Sequence, residues 1–276
     1  MTSLEGILGR SVNELRKLFI EREHPAPAGL IDKLESDRRS GARKLAGQIR
    51  KRRIENRDEA QRLGKLLRYE TQLWNKGLNL IAGVDEAGIG PLAGPVVASA
   101  VILPKDYRLA GLNDSKKISA ETKREKLAAQ IKLDAVCWSV GQAEVEEIDR
   151  INIYHAGLLA MQRAVHGLAV EPEFIMVDAR KIPNCAIPQR GIVHGDALCA
   201  SIAAASIIAK TTRDALMAGF DRLYQGYNFA SHKGYPTPEH CRLLKQLGAL
   251  PIHRRSFERV REALRINPPQ PCLFDS

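Results

Sequence analysis

The sequence predicts an α/β domain preceded by a small all-helical extension, and three observations carry that reading. After about residue 76, short apolar runs of strand length alternate with segments of helical periodicity. Two of those runs, Leu80–Val84 and Pro95–Leu103, flank a turn holding Gly88, Gly90, Pro91 and Gly94, the pattern of two strands joined by a glycine-shaped loop. The first 75 residues show helix signals only, and between Ser36 and Glu70 they carry 12 Lys and Arg against 5 Asp and Glu, a net of +7 out of the chain's +10. The expected domains are therefore a basic helical extension over 1–75, a catalytic-size domain over 76–266 and an extended tail over 267–276.

The elements follow in order. Ser11-Val12-Asn13-Glu14 has the form of a capping box, and Leu15, Leu18 and Phe19 continue it at helical spacing. His24-Pro25-Ala26-Pro27 ends that helix, and another helical region begins near Leu30. Leu45, Ile49, Leu63, Leu66, Leu67 and Leu73 give the following helices an apolar side opposite Arg and Lys. Beyond the glycine turn, the patterns predict helices over Ser119–Lys132 and Asn152–Leu168, strands over Ala135–Val140 and Phe174–Val177, and a buried alanine-rich helix over Ser201–Ala209. Pro236 and Pro238 punctuate a loop before a helix over Glu239–Leu247.

Composition bounds the function. With 276 residues, 44% hydrophobic and 27% charged, the chain suits a globular domain plus an appendage. No apolar run approaches the roughly 20 residues that span a bilayer, and no secretory signal pattern is present, so the expected compartment is the cytoplasm. Five scattered cysteines read as buried or incidental thiols rather than a disulfide frame or zinc site. The basic stripe suits a polyanion, whose phosphates release counterions when neutralised; the alternative is a solvated helix face.

The chemistry sits in acids. Asp85 and Glu86 end one predicted strand, Asp178 ends another, and Asp196 precedes the alanine-rich helix. Carboxylates at strand ends of an α/β sheet collect at one rim, where they repel unless a hard cation joins them. Mg²⁺ or Mn²⁺ answers that need, and a pair of ions suits phosphodiester hydrolysis. Taken singly, Asp178 and Asp196 also fit turn or capping roles.

These residues lie in motifs that resemble the ribonuclease HII family. The family signature is similar to DEAGRGPLAGPVVAAAVIL, and Asp85–Leu103 reads DEAGIGPLAGPVVASAVIL. LNDSKKIS at Leu112–Ser119, VDA at Val177–Ala179, GDALCASIAAASIIAKTTRD at Gly195–Asp214, HKGYPTPEH at His232–His240 and HRRSF at His253–Phe257 follow in family order. The resemblance implies a ribonuclease H-like mixed sheet flanked by helices, and metal-dependent endonucleolytic cleavage of RNA in RNA–DNA hybrids or at single ribonucleotides in duplex DNA. The cut is expected 5′ to the ribonucleotide, leaving 3′-hydroxyl and 5′-phosphate ends. The family's catalytic and metal-holding acids map onto Asp85, Glu86, Asp178 and Asp196. Its 2′-hydroxyl readers map onto the turn Gly88-Ile89-Gly90 and onto Tyr235, while Lys116, Lys117, Lys210 and Lys233 are phosphate-contact candidates.

Two positions depart from the family. Ile89 stands where the family has Arg, removing a positive charge beside the scissile site, with weakened affinity or junction preference expected; His194 stands where a Lys is common. The extension resembles that of longer bacterial members, where it assists substrate binding, and the family points to a monomer. In the tail, Gln270, Leu273 and Phe274 form Gln-x-x-Leu-Phe, similar to sliding-clamp docking motifs. Two rivals stay in view. A non-catalytic hybrid-binding protein has no need of all four acids, and a structure-specific DNA nuclease has no need of a 2′-hydroxyl reader.

Overall fold

The structure, a computed structural model, describes residues 4–266; the tail residues Gln270, Leu273 and Phe274 lie outside them. The chain divides into two compact units at Gly64/Lys65.

In the first unit, α1 (Leu4–Leu8), α2 (Val12–Arg16) and α3 (Leu30–Glu35) are short, and α4 (Ser40–Leu66) is long. The Ser11–Glu14 capping box forms as expected: Ser11 Oγ accepts from Glu14 N, and Glu14 Oε2 accepts from Ser11 N at 2.8 Å. Leu15, Phe19, Leu30, Leu34, Leu45 and Ala46 share a buried core, and Arg52 Nη1 donates to the carbonyls of Phe19 and Ile20.

The second unit opens with α5 (Arg68–Trp74). Its sheet has the order β3-β2-β1-β4-β5, built from β1 (Ile81–Ala87), β2 (Val96–Ile102), β3 (Cys137–Ala143), β4 (Phe174–Asp178) and β5 (Gln189–Ile192). β1 and β3 run antiparallel to β2, while β4 runs parallel to β1 and β5 parallel to β4. Every residue of β2 is buried, which explains why VVASAVI reads as a continuous apolar run instead of an alternating one. Ala82, Val84, Ala98, Ala100, Ile175 and Val177 pack with Ala156, Ala160 and Met161 of α7 (Val145–His166).

The opposite face of the sheet receives α9 (Ala200–Leu223). A Cβ on Gly83 would meet the Ser201 carbonyl carbon at 2.1 Å, so only glycine lets this helix lie so close. Ala203, Ala204 and Ala205 are fully buried, as their spacing predicts. Glu70 of α5, also buried, accepts from both Ser201 N and Ser201 Oγ at 2.9 Å and so satisfies the first turn of α9. Residues 65–75 thus belong to the body of the second unit.

Several expectations of extent change. β1 runs on through Ala87, because Asp85 and Glu86 keep pairing with Ser99 and Ala98. α7 starts seven residues earlier than expected and is interrupted at Asn152 (φ 67°, ψ 165°). α9 continues past Ala209 to Leu223, its second half only partly buried. β5, a short partly exposed edge strand, and α12 (Glu258–Ile266) carry no apolar run strong enough to show in the sequence. The other helices of this unit are α6 (Glu121–Asp134), α8 (Gly195–Leu198), α10 (Phe229–His232) and α11 (Pro238–Leu247). Among the described residues no helix is long and apolar enough to cross a membrane.

Candidate active site

The register assembles the acids. Val84 pairs with Val177 across the parallel strands, so Asp85 and Asp178 follow side by side at the same rim. Asp85 shares the α9 face with Gly83, and Glu86, the next residue, points to the α7 face. Asp178 Oδ1 accepts from Gly195 N at 2.7 Å, which brings α8 and with it Asp196 to the rim.

The electrostatics are those of crowded carboxylates. Burial, then the charges of Glu86 and Asp178, push the Asp85 carboxyl well above the usual range, and a hydrogen bond from Ser206 offsets this only in part. Glu86 is pushed up by burial and Asp178 against the pull of Arg180 and Lys116. Its Oε2 is buried without a partner. Asp196 is raised by burial, by Asp114 and by Asp178, and is hydrogen-bonded to Asp114. Lys116 Nζ stands 3.9 Å from Asp196 Oδ2; burial opposes its charge, but four surrounding aspartates raise its pKa. Among the described residues no three His, Cys, Asp or Glu side chains close into a ready cage for one ion. The donor set nonetheless fits a hard divalent cation: all oxygen, crowded, with an orphaned buried carboxylate oxygen on Glu86.

The glycine turn, residues 88–95, is held from within. Arg254, fully buried, donates to the carbonyls of Gly88 (2.6 Å), Ile89 (3.1 Å), Pro91 (2.7 Å), Gly94 (2.8 Å) and Pro95 (3.3 Å). Arg213 donates to the carbonyls of Ala93, Pro95 and Lys233. Gly88, at φ 99°, admits the Arg213 side chain where a Cβ would sit 2.2 Å from Nε. Ile89 turns its side chain to the domain core. Tyr235 stands at the mouth of the turn, 40% exposed, its ring 3.7 Å from where a Gly90 Cβ would lie.

Three buried histidines hold the Tyr235 backbone. Leu250 N–H donates to His253 Nδ1, so His253 donates through Nε2 to His240 Nε2 at 3.1 Å, and His240 Nδ1–H donates to the Tyr235 carbonyl at 2.9 Å. His232 stacks on His240 with ring centroids 4.2 Å apart. Burial lowers His240 to about 4 and His253 to about 3. Because these folded-state values lie below the roughly 6.5 of an unfolded histidine, the stability they contribute is complete above that value and is lost as pH falls from it through about 4 for His240 and about 3 for His253. Ring-proton NMR is expected to show neither residue titrating above about pH 5, with a falling melting temperature over the same interval.

The predicted phosphate contacts separate. Lys116 joins the acids; Lys210 sits 2.5 Å from Asp214 and 6.0 Å from the Tyr235 ring centroid. Lys233 is paired with Glu121 at 3.1 Å, and Lys117 and His194 are exposed. Sequence reasoning did not single out Asp114, Arg180, Arg213 or Arg254. Arg213 falls beyond the expected end of the alanine-rich helix at Ala209, among the polar residues KTTRD, and nothing in His-Arg-Arg distinguishes buried Arg254 from exposed Arg255.

Known proteins resemble this chain over most of its length. The Ribonuclease HII family profile matches residues 82–260, and the Ribonuclease HII N-terminal domain profile matches residues 11–74. A ribonuclease HII of Myxococcus xanthus is 60% identical over 262 residues, 95% of this chain and 89% of its own. One from an Anaeromyxobacter strain is 57% identical over 270 residues, 98% and 85% of the two chains. Among solved structures, the ribonuclease H2 of Pyrococcus horikoshii OT3 is similar with a TM-score of 0.56 at 26% identity, over 67% of this chain and 97% of its own. The PCNA:RNase HII complex of Archaeoglobus fulgidus gives a TM-score of 0.55 at 25% identity, over 64% of this chain and 93% of that one. With four acids at one rim beside a glycine turn and a family match across most of its length, the chain belongs to the ribonuclease HII family and is a ribonuclease H.

Proposed function

We propose that this protein is a metal-dependent endonuclease that hydrolyses the RNA strand of RNA–DNA hybrids and cuts 5′ to single ribonucleotides in duplex DNA, leaving 3′-hydroxyl and 5′-phosphate ends. The observation that carries it is the gathering of Asp85, Glu86, Asp178 and Asp196 beside the turn and Tyr235. The four acids would hold Mg²⁺ or Mn²⁺, which supplies neutralising charge and an acidified water. Arg254 draws the turn's carbonyls inward, and with the Leu92 and Gly94 N–H groups bonded to Gly234 and Ile252, the N–H groups of Gly88, Ile89 and Gly90 are the donors for a ribose. Tyr235 presents an exposed ring and hydroxyl to the same sugar, which separates RNA from DNA through the 2′-hydroxyl. Lys116 and Lys210 face the phosphates.

The test is product chemistry on a labelled hybrid. Ends that a DNA polymerase extends directly support the reading; a 2′,3′-cyclic phosphate, formed by attack of the neighbouring 2′-hydroxyl, would overturn it.

The first unit supplies non-specific affinity in this reading. Arg53 and Arg57 line a cleft of about 350 Å³ on its basic helix. Changing both to Gln is expected to raise KM and flatten the log KM against log salt slope by about 0.9 for each phosphate no longer neutralised, with kcat unchanged. A kcat loss at constant slope would assign these residues elsewhere. The tail motif at Gln270, Leu273 and Phe274 is proposed to dock on a sliding clamp, as the PCNA partner of the A. fulgidus relative suggests; a tail peptide that fails to bind purified clamp would remove this role.

A further inference from the structure

Each guanidinium nitrogen of the two arginines under the turn has a carbonyl partner, which is not true of Arg180. It follows Asp178 at the end of β4, swung toward Glu86 by Ala179, which takes a left-handed φ of 49°. Its Nη2 lies 3.4 Å from Glu86 Oε1, long for a guanidinium–carboxylate contact and single rather than forked. Its Nη1 is buried and has no partner. Such donors are rarely left unmatched in a folded chain. A guanidinium kept only to hold the fold together has the environment of Arg254, ringed by carbonyls; Arg180 has one long contact and an aromatic face.

That face belongs to Tyr154, 53% exposed, with the Arg180 guanidinium carbon 5.2 Å from its ring centroid. Tyr154 is positioned by the break in α7: Asn152, in a backbone region that disfavours side chains, accepts from Tyr154 N and His155 N through Oδ1. Gly157 lies one turn further along. A Cβ there would meet Arg180 Nη1 at 2.6 Å and Ile89 Cδ1 at 3.2 Å, so Arg180 and Ile89 lie over the same glycine. The charge that position 89 does not supply is therefore present, delivered from position 180.

We propose that Arg180, steadied by Tyr154, is a substrate-binding cation that grips a phosphate of the cleaved strand beside the catalytic acids in place of a cation on the turn. This deepens the reading given under Proposed function and rests on it. Arginine suits the task because its planar fork matches two phosphate oxygens while its face stays on the ring.

The test is binding of a labelled duplex with one internal ribonucleotide, in chelator so that no cleavage occurs, across a salt series. Arg180→Gln, which keeps a donor for Glu86, is expected to weaken Kd about tenfold and to reduce the salt slope by about 0.9, and Ile89→Arg added to it is expected to restore most of both. Ile89→Arg in the otherwise native chain is expected to change Kd less than about twofold, because the phosphate is already held. This arm decides the matter even if Arg180→Gln does not fold. Native Kd and slope in Arg180→Gln, or a tenfold gain from Ile89→Arg alone, would confine Arg180 to balancing Glu86. If the native protein does not prefer the ribonucleotide duplex to all-DNA, the proposed function itself fails; if it does and Arg180→Gln matches it, only this assignment fails.

Discussion

Asp85→Asn is expected to lower cleavage by at least about 10²- to 10³-fold and, in the same protein, to raise the melting temperature. The two effects share one cause. The Asp85 carboxyl is buried between Glu86 and Asp178, and the folded chain resists its ionisation on all three counts. Asparagine keeps the shape and the oxygen that accepts from Glu86 N at 2.7 Å, but removes the charge. Each kcal/mol of repulsion relieved raises the melting temperature of a chain this size by about 2–4 °C. The exchange of stability for activity is ordinary at sites built to receive a cation. Thermal melts in chelator beside steady-state cleavage check it, and a variant that is both less stable and still active would contradict this account of the rim.

Arg254→Met is expected to be the most destabilising single change near the site. Methionine fills the volume but leaves the Gly88, Ile89, Pro91 and Gly94 carbonyls facing inward without their donor, while Pro95 keeps its bond from Arg213. Each buried polar group so stranded costs about 1–3 kcal/mol, and relaxation of the turn recovers some of that. A net loss of at least about 3 kcal/mol corresponds to a fall of roughly 6–12 °C, with kcat and KM both worsened because the turn no longer presents its backbone. Arg255→Met, one residue on and exposed, is the control and is expected to stay within about 0.5 kcal/mol. Equal effects from the two changes would show that the carbonyl cage contributes nothing.

How much of this was legible in the sequence depends on whether a residue's role is written in its neighbours. Asp85 and Glu86 stood out because charge at the end of an apolar strand contradicts its surroundings, and the alanines of α9 stood out because small residues in series fit only a close-packed helix. The parallel pairing that sets Asp178 beside Asp85 was readable only as a class of fold. Arg254, Arg180 and Asp114 were opaque for a different reason. Each is defined by what folds over it from far along the chain: Arg254 by carbonyls more than 150 positions away, Arg180 by Glu86 and Tyr154, Asp114 by Asp196. The early start of α7 was hidden by Asn152, whose side chain caps the helix's second half and so mimics a true beginning.

The measurement closest to the central claim is cleavage of a labelled DNA duplex carrying one internal ribonucleotide, with Mg²⁺ and then Mn²⁺, beside an all-DNA duplex and the Asp85→Asn protein. A single metal-dependent cut on the 5′ side of the ribonucleotide, absent from both controls, is the expected result. Tight binding without cleavage under either metal, or equal cutting of the all-DNA duplex, would contradict it.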